Sequence, residues 1–563
     1  MNAAADASCG GPAARAPLCR PVDRGGASGE TCNGPAARTS LRPVDSDQAG
    51  GQTCNGPAAR ALRRRGVLIG LAVVGWLGGC KPAPPPRVEP ITPLGDVAAR
   101  RLGPTDPMEQ AQKAVAATIA RRERRMREAW EPGSQWAELR VEQKDIDSGR
   151  VSLPQLLELG QELFTIDFGP AQGLGNGLLE SKSPLAGPRP APNLRHVQYK
   201  LFGGPDATRC VACHHLGGPG GAGFRIDNAL LDGDGEHPRT ALERNPRALW
   251  GVAVLTQLAA EMTAELRDKL AAAQRELRPG QSVPLSAKGV SFGFLRKNSS
   301  GQIDGSGVRG VRQDLIVRPL GWKGTVASLR QMVVESLQRN LGIQAEELGT
   351  AGPPGAAPYG DGPPADPDRD GVTREATTGM VTALTAYLAA LTLPIEESPE
   401  PPSFLIATAQ GSELFTKVGC ASCHVPELPL DSTLVSLGPG PRSRPRVDLA
   451  PLLKSAGRPE RQGTVRLYSD LKMHDLGEGL SEPRGYLGAP RHLWLTPPLW
   501  GLAASAPYLH DGRAGSIDTA IRAHGGEATA ARDAYVKLSP EESGTLRLFL
   551  QTLSRPARLE FKP

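Results

Sequence analysis

The stretch Cys210-Val-Ala-Cys213-His214 recurs in the same form as Cys420-Ala-Ser-Cys423-His424, and these two stretches decide the fold. Cys-x-x-Cys-His is the attachment signature of c-type haem: the two thiols add to the porphyrin vinyl groups, and the adjacent histidine becomes the proximal iron ligand. The sequence therefore predicts two covalently bound c-type haems. Two alternatives would use the same cysteines. One is a four-cysteine zinc site formed by both pairs. The other is a thioredoxin-like redox pair, which the lack of a surrounding βαβ pattern disfavours.

Four short signatures occur twice in the same order, which indicates an internal duplication. The first copy has them at 160–165, 210–214, 249–251 and 322–329. The second copy has the corresponding signatures at 411–416, 420–424, 499–501 and 510–517. Both copies contain several stretches with a helical pattern, and few stretches have the pattern of a strand. The sequence therefore predicts a mainly α fold of two cytochrome c-like haem domains, 108–398 and 399–563, with long loops and with insertions in the first copy.

Composition limits the class of protein. The chain has 563 residues, a net charge of +6, 67 Gly and 53 Pro. Its length fits two or three domains, and the Gly and Pro content indicates much loop. Because no run of 18 or more apolar residues occurs, a polytopic membrane protein is excluded. The mild, dispersed charge argues against a nucleic-acid partner.

The N-terminal region has the pattern of a processed leader. Residues 1–60 are low-complexity and repeat the motif Cys-Asn-Gly-Pro-Ala-Ala-Arg, which predicts disorder or reflects a mis-assigned start codon. Residues 61–80 combine a basic cluster, a short apolar run and Leu-Gly-Gly before Cys80, like a bacterial lipoprotein signal. Residues 81–107 are predicted to form a Pro-rich tether. We expect a periplasmic protein that is lipid-anchored to a membrane through Cys80; the alternatives are a plain signal peptide and a short membrane anchor.

The sixth ligand of each iron decides whether a haem transfers electrons or reacts with small molecules. In the first copy, His237 lies on a Gly- and Asp-rich loop and is the candidate. In the second copy, Met473 and His474 are adjacent candidates that cannot both bind one iron. We interpret His215 as a surface residue or a support to the proximal histidine. The remaining histidines, His196, His492 and His524, are interpreted as ordinary polar residues.

From about residue 160 onward the chain resembles the bacterial di-haem oxidoreductases described as peroxidases. These are relatives of the di-haem cytochrome c peroxidases and of the di-haem enzyme that matures a tryptophan-derived quinone cofactor. The stretches that carry the resemblance are 318–324, 468–477, 496–501, 509–513 and 524–527.

The resemblance implies roles for three residues. His237 would ligate the first haem and leave to open it, Trp322 would lie between the haems, and Glu346 would assist peroxide cleavage. The chain departs from the family at Leu476, where the family has Met. Either Met473 or His474 then ligates the second haem, or its sixth position is open.

Calcium is a further expected cofactor. The stretch Asp366-Pro-Asp368-Arg-Asp370-Gly371 resembles the start of a calcium-binding loop, and the alternative is a solvated acidic loop. A calcium ion between the haems, as in the peroxidase group, is a second option, with Asn245 as the candidate ligand.

These inferences predict an exported di-haem oxidoreductase of the cytochrome c peroxidase type. It would move electrons between two haems to reduce hydrogen peroxide or to oxidise a partner. We expect a small cytochrome or cupredoxin as the electron donor or acceptor, and no nucleic acid. The rivals are a non-catalytic di-haem electron-transfer cytochrome and an oxidase of protein or thiol partners.

Overall fold

The structure is a computed structural model that describes residues 139–168, 172–174, 197–199, 205–235, 237–347, 374–395, 401, 404–440, 443–455 and 463–554. The predicted leader, the Cys80 signal, the tether and the acidic loop with Asp366, Asp368 and Asp370 lie outside these residues. His196 also lies outside them.

Helices form the frame of the described part. They are α1 (Gln143–Asp147), α2 (Leu153–Thr165), α3 (Val252–Glu276), α4 (Leu329–Ser336), α5 (Thr378–Ala389), α6 (Phe404–Lys417), α7 (Ala450–Ser455), α8 (Ile517–Arg522), α9 (Thr529–Val536) and α10 (Pro540–Gln551). A π-helical turn, Leu337–Leu341, continues α4.

Short strands are more numerous than the sequence predicted. They are β1 (Val197–Tyr199), β2 (Ala229–Gly233), β3 (Leu242–Arg244), β4 (Ser282–Ala287), β5 (Val290–Lys297), β6 (Ile303–Asp304), β7 (Glu427–Pro429), β8 (Leu434–Ser436), β9 (Arg446–Asp448), β10 (Thr464–Arg466), β11 (Met473–Asp475) and β12 (Leu493–Leu495). They make two three-stranded sheets, β1-β2-β3 and β4-β5-β6, and three two-stranded pairs, β7 with β10, β8 with β9 and β11 with β12. The mainly α prediction is therefore only partly right, because most of these strands are too short to give a readable alternating pattern.

Each copy contains a pair of helices that cross at a glycine. In the first copy, a Cβ built on Gly160 of α2 would lie 2.1 Å from the carbonyl oxygen of Ala383 in α5. In the second copy, a Cβ on Gly411 of α6 would lie 2.3 Å from the carbonyl oxygen of Thr545 in α10. Glycine is needed at both positions because the two backbones approach closely.

An aromatic contact repeats one helical turn after each glycine. The ring of Phe164 lies 5.2 Å from that of Tyr387, and the ring of Phe415 lies 5.7 Å from that of Phe549. The two crossings are thus the same structure built twice, which supports the duplication read from the sequence.

The repeated turns 320–326 and 508–514 also share their backbone geometry. Each closes with an antiparallel bridge between its first and last residues. The equivalent residues Gly321 and Leu509 have nearly equal left-handed φ values, 74° and 72°. Because a leucine is strained in that region, this backbone shape is imposed by the surrounding structure rather than by local preference.

A serine begins the helix after each turn. Ser328 accepts a hydrogen bond from the backbone NH of Gln331 at the start of α4, and Ser516 accepts one from Thr519 at the start of α8. These N-caps align α4 with α8 residue by residue.

The two copies pack against each other through their repeated Leu-Trp-Gly stretches. A Cβ on Gly251 would lie 3.0 Å from the Trp500 ring, and a Cβ on Gly501 would lie 3.2 Å from the Trp250 ring. The largest hydrophobic core also contains side chains from both copies, including Leu163 and Leu467. The boundary at 398/399 stays a prediction.

None of the helices in the described ranges is both long and apolar enough to cross a bilayer.

Candidate haem-binding site

The first motif forms a tight turn that presents its histidine. Cys210–Ala212 is a single 3₁₀ turn, and the Nδ1 atom of His214 lies 3.0 Å from the carbonyl oxygen of Arg247 and 3.3 Å from that of Gly221. Since carbonyls only accept, Nδ1 carries the proton and Nε2 keeps its lone pair. Burial lowers the pKa of His214 to about 4, so the ring is neutral. A neutral, oriented imidazole with a free Nε2 is the form that binds a metal.

The second motif repeats this arrangement. Cys420–Ser422 is again a 3₁₀ turn, and the Nδ1 atom of His424 donates to the carbonyl oxygen of Tyr468 at 3.0 Å. Burial also lowers the pKa of His424 to about 4. Both predicted proximal histidines therefore have the tautomer and charge state of an iron ligand.

The four motif cysteines are free thiols in the structure. Burial raises the pKa of Cys210 to about 12 and that of Cys420 to about 11, so neither is a reactive thiolate at neutral pH. This argues against a thioredoxin-like pair. In the described ranges, the one group of three or more metal-type side chains is Cys423, Asp470 and His474. The four cysteines do not converge, so the zinc alternative fails.

A buried donor also fits a haem. Trp250 is 1% exposed, and its Nε1 has no hydrogen-bond partner among the described residues. A buried N–H without an acceptor is costly, and a haem propionate is an acceptor that relieves such a cost. Together with the two oriented imidazoles, this supports haem as the group that the site takes.

The backbone of Asn245 lies between the equivalent residues of the two copies. Trp322 donates from Nε1 to the carbonyl oxygen of Asn245 at 2.8 Å, and the NH of Asn245 donates to the carbonyl oxygen of His510 at 2.7 Å. Arg247, whose carbonyl orients His214, holds its guanidinium 5.4 Å from the centre of the Trp322 ring. On its other side, the carbonyl of Trp322 accepts from Leu495, which pairs with Met473. The structure thus connects Trp322 to the surroundings of both motifs.

The hydrogen bonds of His474 make it unavailable as an iron ligand. Its Nε2 lies 2.7 Å from Asp470 Oδ2 and its Nδ1 lies 2.8 Å from Glu527 Oε2, so both ring nitrogens are hydrogen-bonded. Although burial opposes the charge, these carboxylates raise the pKa of His474 to about 11. A doubly protonated imidazolium has no lone pair for iron.

Met473 is next to His474 on β11, and alternation along the strand sends the two side chains in opposite directions. Its Sδ lies near Gly324, 2.8 Å from the position a Cβ would take there. Met473 therefore packs against the Trp322 turn, whereas His474 lies 3.8 Å from Cys423 Sγ. Met473 as a haem ligand stays a prediction that this contact does not favour.

His524, which the sequence analysis interpreted as an ordinary polar residue, has a free ring nitrogen in the structure. Its Nδ1 donates to the carbonyl oxygen of Ala520 at 2.8 Å, which leaves Nε2 with its lone pair. Burial lowers the pKa of His524, and the charge of His524 contributes, after burial, to the lowered pKa of His424. The signal was present in the sequence: His524 opens the family-like stretch 524–527.

The first copy has no histidine at the corresponding place. Counted from the serine caps Ser328 and Ser516, the residue at the same distance as His524 is Ser336, although α4 continues through Ser336 whereas α8 ends at Arg522. Haem iron takes its axial ligands from His, Met, Cys or Tyr, and a serine hydroxyl is not among them. The two haem motifs thus match on the proximal side and differ at this second position.

His237 has local partners. Its Nδ1 lies 2.9 Å from Asp234 Oδ2, and its backbone NH donates to the same carboxylate. The side chain is 52% exposed. Its role as a ligand that departs from the first haem stays a prediction.

Glu346 lies at the start of a helix rather than in a proton-donor environment. Its Oε2 accepts from the NH and hydroxyl of Thr378, and its Oε1 pairs with Arg374 at 2.9 Å. Although desolvation opposes this, these contacts lower the pKa of Glu346. The carboxylate stays ionised, so the geometry supports a helix cap and not the predicted assistance to peroxide cleavage.

Asn245, the predicted calcium ligand, is buried, and its Nδ2 donates to Gly223 O and Asn228 Oδ1. Calcium binding there stays a prediction.

Comparisons with known proteins address the family. Residues 316–553 match the family described as "Di-haem oxidoreductase, putative peroxidase". This range contains the second haem motif, Trp322, His474 and His524, and the first motif precedes it. No curated protein matches the chain.

Two solved structures show distant similarity. One is the hydrazine synthase of Kuenenia stuttgartiensis pressurised with xenon, at 16% identity and a TM-score of 0.29, covering 75% of this chain and 95% of that one. The other is a MauG-like protein associated with microbial copper homeostasis, at 16% identity and a TM-score of 0.25, covering 53% and 88%. At these TM-scores neither similarity defines the fold. The family match agrees with the motifs, and over residues 316–553 the chain is similar to the di-haem oxidoreductase family.

Proposed function

We propose that this haem-binding oxidoreductase is a peroxidase-type enzyme with two unequal c-type haems. Cys210 and Cys213 hold the first haem as thioethers, and Cys420 and Cys423 hold the second. His424 and His524 would hold the iron of the second haem, which would supply electron transfer. His214 would hold the first haem, which would supply the reaction with the substrate.

The observation that carries the proposal is the difference between His524 and Ser336. Both residues follow the same turn and the same serine cap, yet one offers an imidazole Nε2 and the other a hydroxyl. A second strong ligand favours electron transfer, and an open position permits peroxide chemistry.

Hydrogen peroxide is the proposed substrate. Its reduction consumes two electrons and two protons and yields two molecules of water, and the bound haems supply the redox chemistry. Buried polar groups flank Ser336: Gln331 on α4 donates to Glu335 Oε1 at 2.7 Å, and Arg339 in the following π-helical turn pairs with Glu335 Oε2 at 3.0 Å. We assign this cluster to binding and orienting the substrate by hydrogen bonds on the open side.

Trp322 supports electron passage between the haems. It connects by hydrogen bonds to Asn245, two residues from the carbonyl that orients His214, and to the strand pair that carries Met473. An indole at such a junction gives electrons an aromatic stepping position. The electrons come from a small cytochrome or cupredoxin, in an exported protein anchored at Cys80. The mass of the mature N-terminus tests the anchor.

Two ligand variants test the assignment of the haems. In His524→Gly the second haem should lose its low-spin spectrum, and added imidazole should restore it. In Ser336→His the first haem should become low-spin and stop reacting with peroxide. If both haems of the unaltered protein are low-spin in every redox state and ignore peroxide, the protein is a non-catalytic electron-transfer cytochrome instead.

A further inference from the structure

His474 is a buried histidine held between two carboxylates. It is 6% exposed, and both ring nitrogens make short hydrogen bonds, to Asp470 and to Glu527. Asp470 is buried, whereas the Glu527 side chain is 54% exposed. Such charge-assisted bonds are among the strongest that side chains make.

The Asp470 side of this cluster belongs to the segment that supports the proximal histidine. The NH of Asp470 donates to the carbonyl of Cys423 at 2.9 Å, and the NH of Ser469 donates to that of Val425 at 2.9 Å. Two residues before Asp470, the carbonyl of Tyr468 accepts from His424 Nδ1. We call residues 468–470 the proximal strap.

The Glu527 side belongs to the segment that carries His524. Glu527 lies in the 3₁₀ turn Gly526–Ala528, directly after His524 and Gly525. Its Oε2 binds His474, and its Oε1 accepts from the NH of Asp475 at 3.0 Å. We call residues 524–527 the distal segment.

We propose that His474 is a positioning residue that ties the proximal strap to the distal segment and so keeps His524 on the iron of the second haem. The proposal rests on the proposed function, because it takes His524 as the second ligand of that iron. Through its two nitrogens, His474 is the side chain by which Asp470 and Glu527 are joined. Losing either bond weakens the link between the distal segment and the strap that supports His424, although Glu527 keeps its hydrogen bond from the NH of Asp475.

A metal ion is a poor alternative occupant of this cluster. The Cys423, Asp470 and His474 ligand atoms lie within 4.8 Å of one another. With the haem attached, however, the Cys423 sulfur is a thioether, and both nitrogens of His474 already bind carboxylates. The cluster is therefore built to hold a cationic ring rather than a cation.

The low-spin ferric signal of the second haem tests the proposal in the full-length, haem-loaded protein. We expect His474→Gln and Glu527→Gln each to reduce its electron paramagnetic resonance intensity. Each should also speed cyanide binding to that haem on the order of tenfold, as loss of one charge-assisted hydrogen bond implies. Imidazole should restore the signal. A role in fold stability alone would leave the spin state unchanged.

His492→Gln is the matched control. His492 is a half-exposed histidine just before β12, 3.8 Å from Asp475, and should leave the signal intact. If His474→Gln does not fold, Glu527→Gln decides, because it changes an exposed carboxylate. Unchanged signals in both, with His524→Gly altered, would overturn the role of His474 and leave the proposed function standing. An unchanged signal in His524→Gly would overturn both.

Discussion

At two pairs of equivalent positions near the haem motifs, the two copies carry different side chains. Trp322 corresponds to His510, and Ser336 corresponds to His524. By contrast, His214 and His424 each donate from Nδ1 to a backbone carbonyl, that of Arg247 and that of Tyr468, and burial lowers the pKa of each to about 4. In the proposed function, the duplication has therefore kept the histidine that would hold each iron and changed the residue that would decide its reactivity.

Glu346 provides a test at the residue scale. Its folded-state pKa is lowered, so its contribution to stability is present above the unfolded pKa of about 4.3 and is lost as pH falls through the lower folded value. Glu346→Gln should therefore cost about 1 kcal/mol at neutral pH, as loss of a helix cap does, and less in acid. Denaturant unfolding of both proteins at several pH values measures the difference.

Peroxide turnover per folded Glu346→Gln protein should be unchanged. A large loss of turnover with unchanged stability would return Glu346 to a catalytic role.

Single residues were predictable from the sequence to different degrees. The six residues of the two Cys-x-x-Cys-His motifs could be singled out because the motif depends only on local spacing. The hydrogen bonds of His474 could not be predicted, because one partner, Glu527, is far along the chain. The neutral, buried state of His524 could not be predicted, because its burial arises only on folding.

At the scale of elements, the two helix crossings carry the fold. Each brings an N-terminal helix, followed by a haem motif, against the last helix of its copy, at Gly160 or at Gly411. In the second copy the crossing fixes α6, which ends at Lys417, directly before the motif that starts at Cys420.

Alanine substitutions at two glycines should distinguish the effect of close packing at the crossing from the effect of intrinsic helix propensity. In Gly411→Ala the new methyl would overlap the Thr545 carbonyl, so we expect a loss of about 1–3 kcal/mol in the free energy of unfolding. Gly544→Ala lies on the partner helix α10, where the nearest atom is 3.9 Å away, and should stabilise by up to about 1 kcal/mol. Chemical denaturation of the two variants measures both. Equal effects would show that the crossing is not tightly packed.

Secondary-structure elements were predicted well where the sequence pattern is long and poorly where it is short. The repeated signatures 160–165 and 411–416 lie in the two helices that carry Gly160 and Gly411, although the crossings themselves were not predicted. Strands such as β11 and β12 are only three residues long, so no alternating pattern marks them. Yet β11 carries Met473 and His474. Because the sequence analysis did not predict this strand, it treated the two residues as alternative ligands of one iron.

At the scale of the whole molecule, the copies meet around Trp250, Trp500 and the Asn245 backbone. Trp322 joins this junction through its indole NH. We therefore assign electron passage to the junction between two copies that each hold one haem.

Trp322→Phe tests that passage. It keeps an aromatic ring but removes the N–H to Asn245 and the readily oxidised indole, so electron transfer between the haems should slow at least on the order of tenfold. Stopped-flow absorption after mixing the half-reduced protein with peroxide measures this rate. Trp500→Phe is the control, since Trp500 lies at the junction outside the Asn245 hydrogen bonds. Equal rates in the two variants would exclude Trp322 from the path.

The central claim is that the two haems are unequal, one closed by His524 and one open. Its most direct test is the electron paramagnetic resonance and absorption spectrum of the full-length protein, oxidised and after one-electron reduction, followed by peroxide. We predict one low-spin and one high-spin haem, with rapid reaction of peroxide at the high-spin one. Two low-spin haems that ignore peroxide in both states would contradict it.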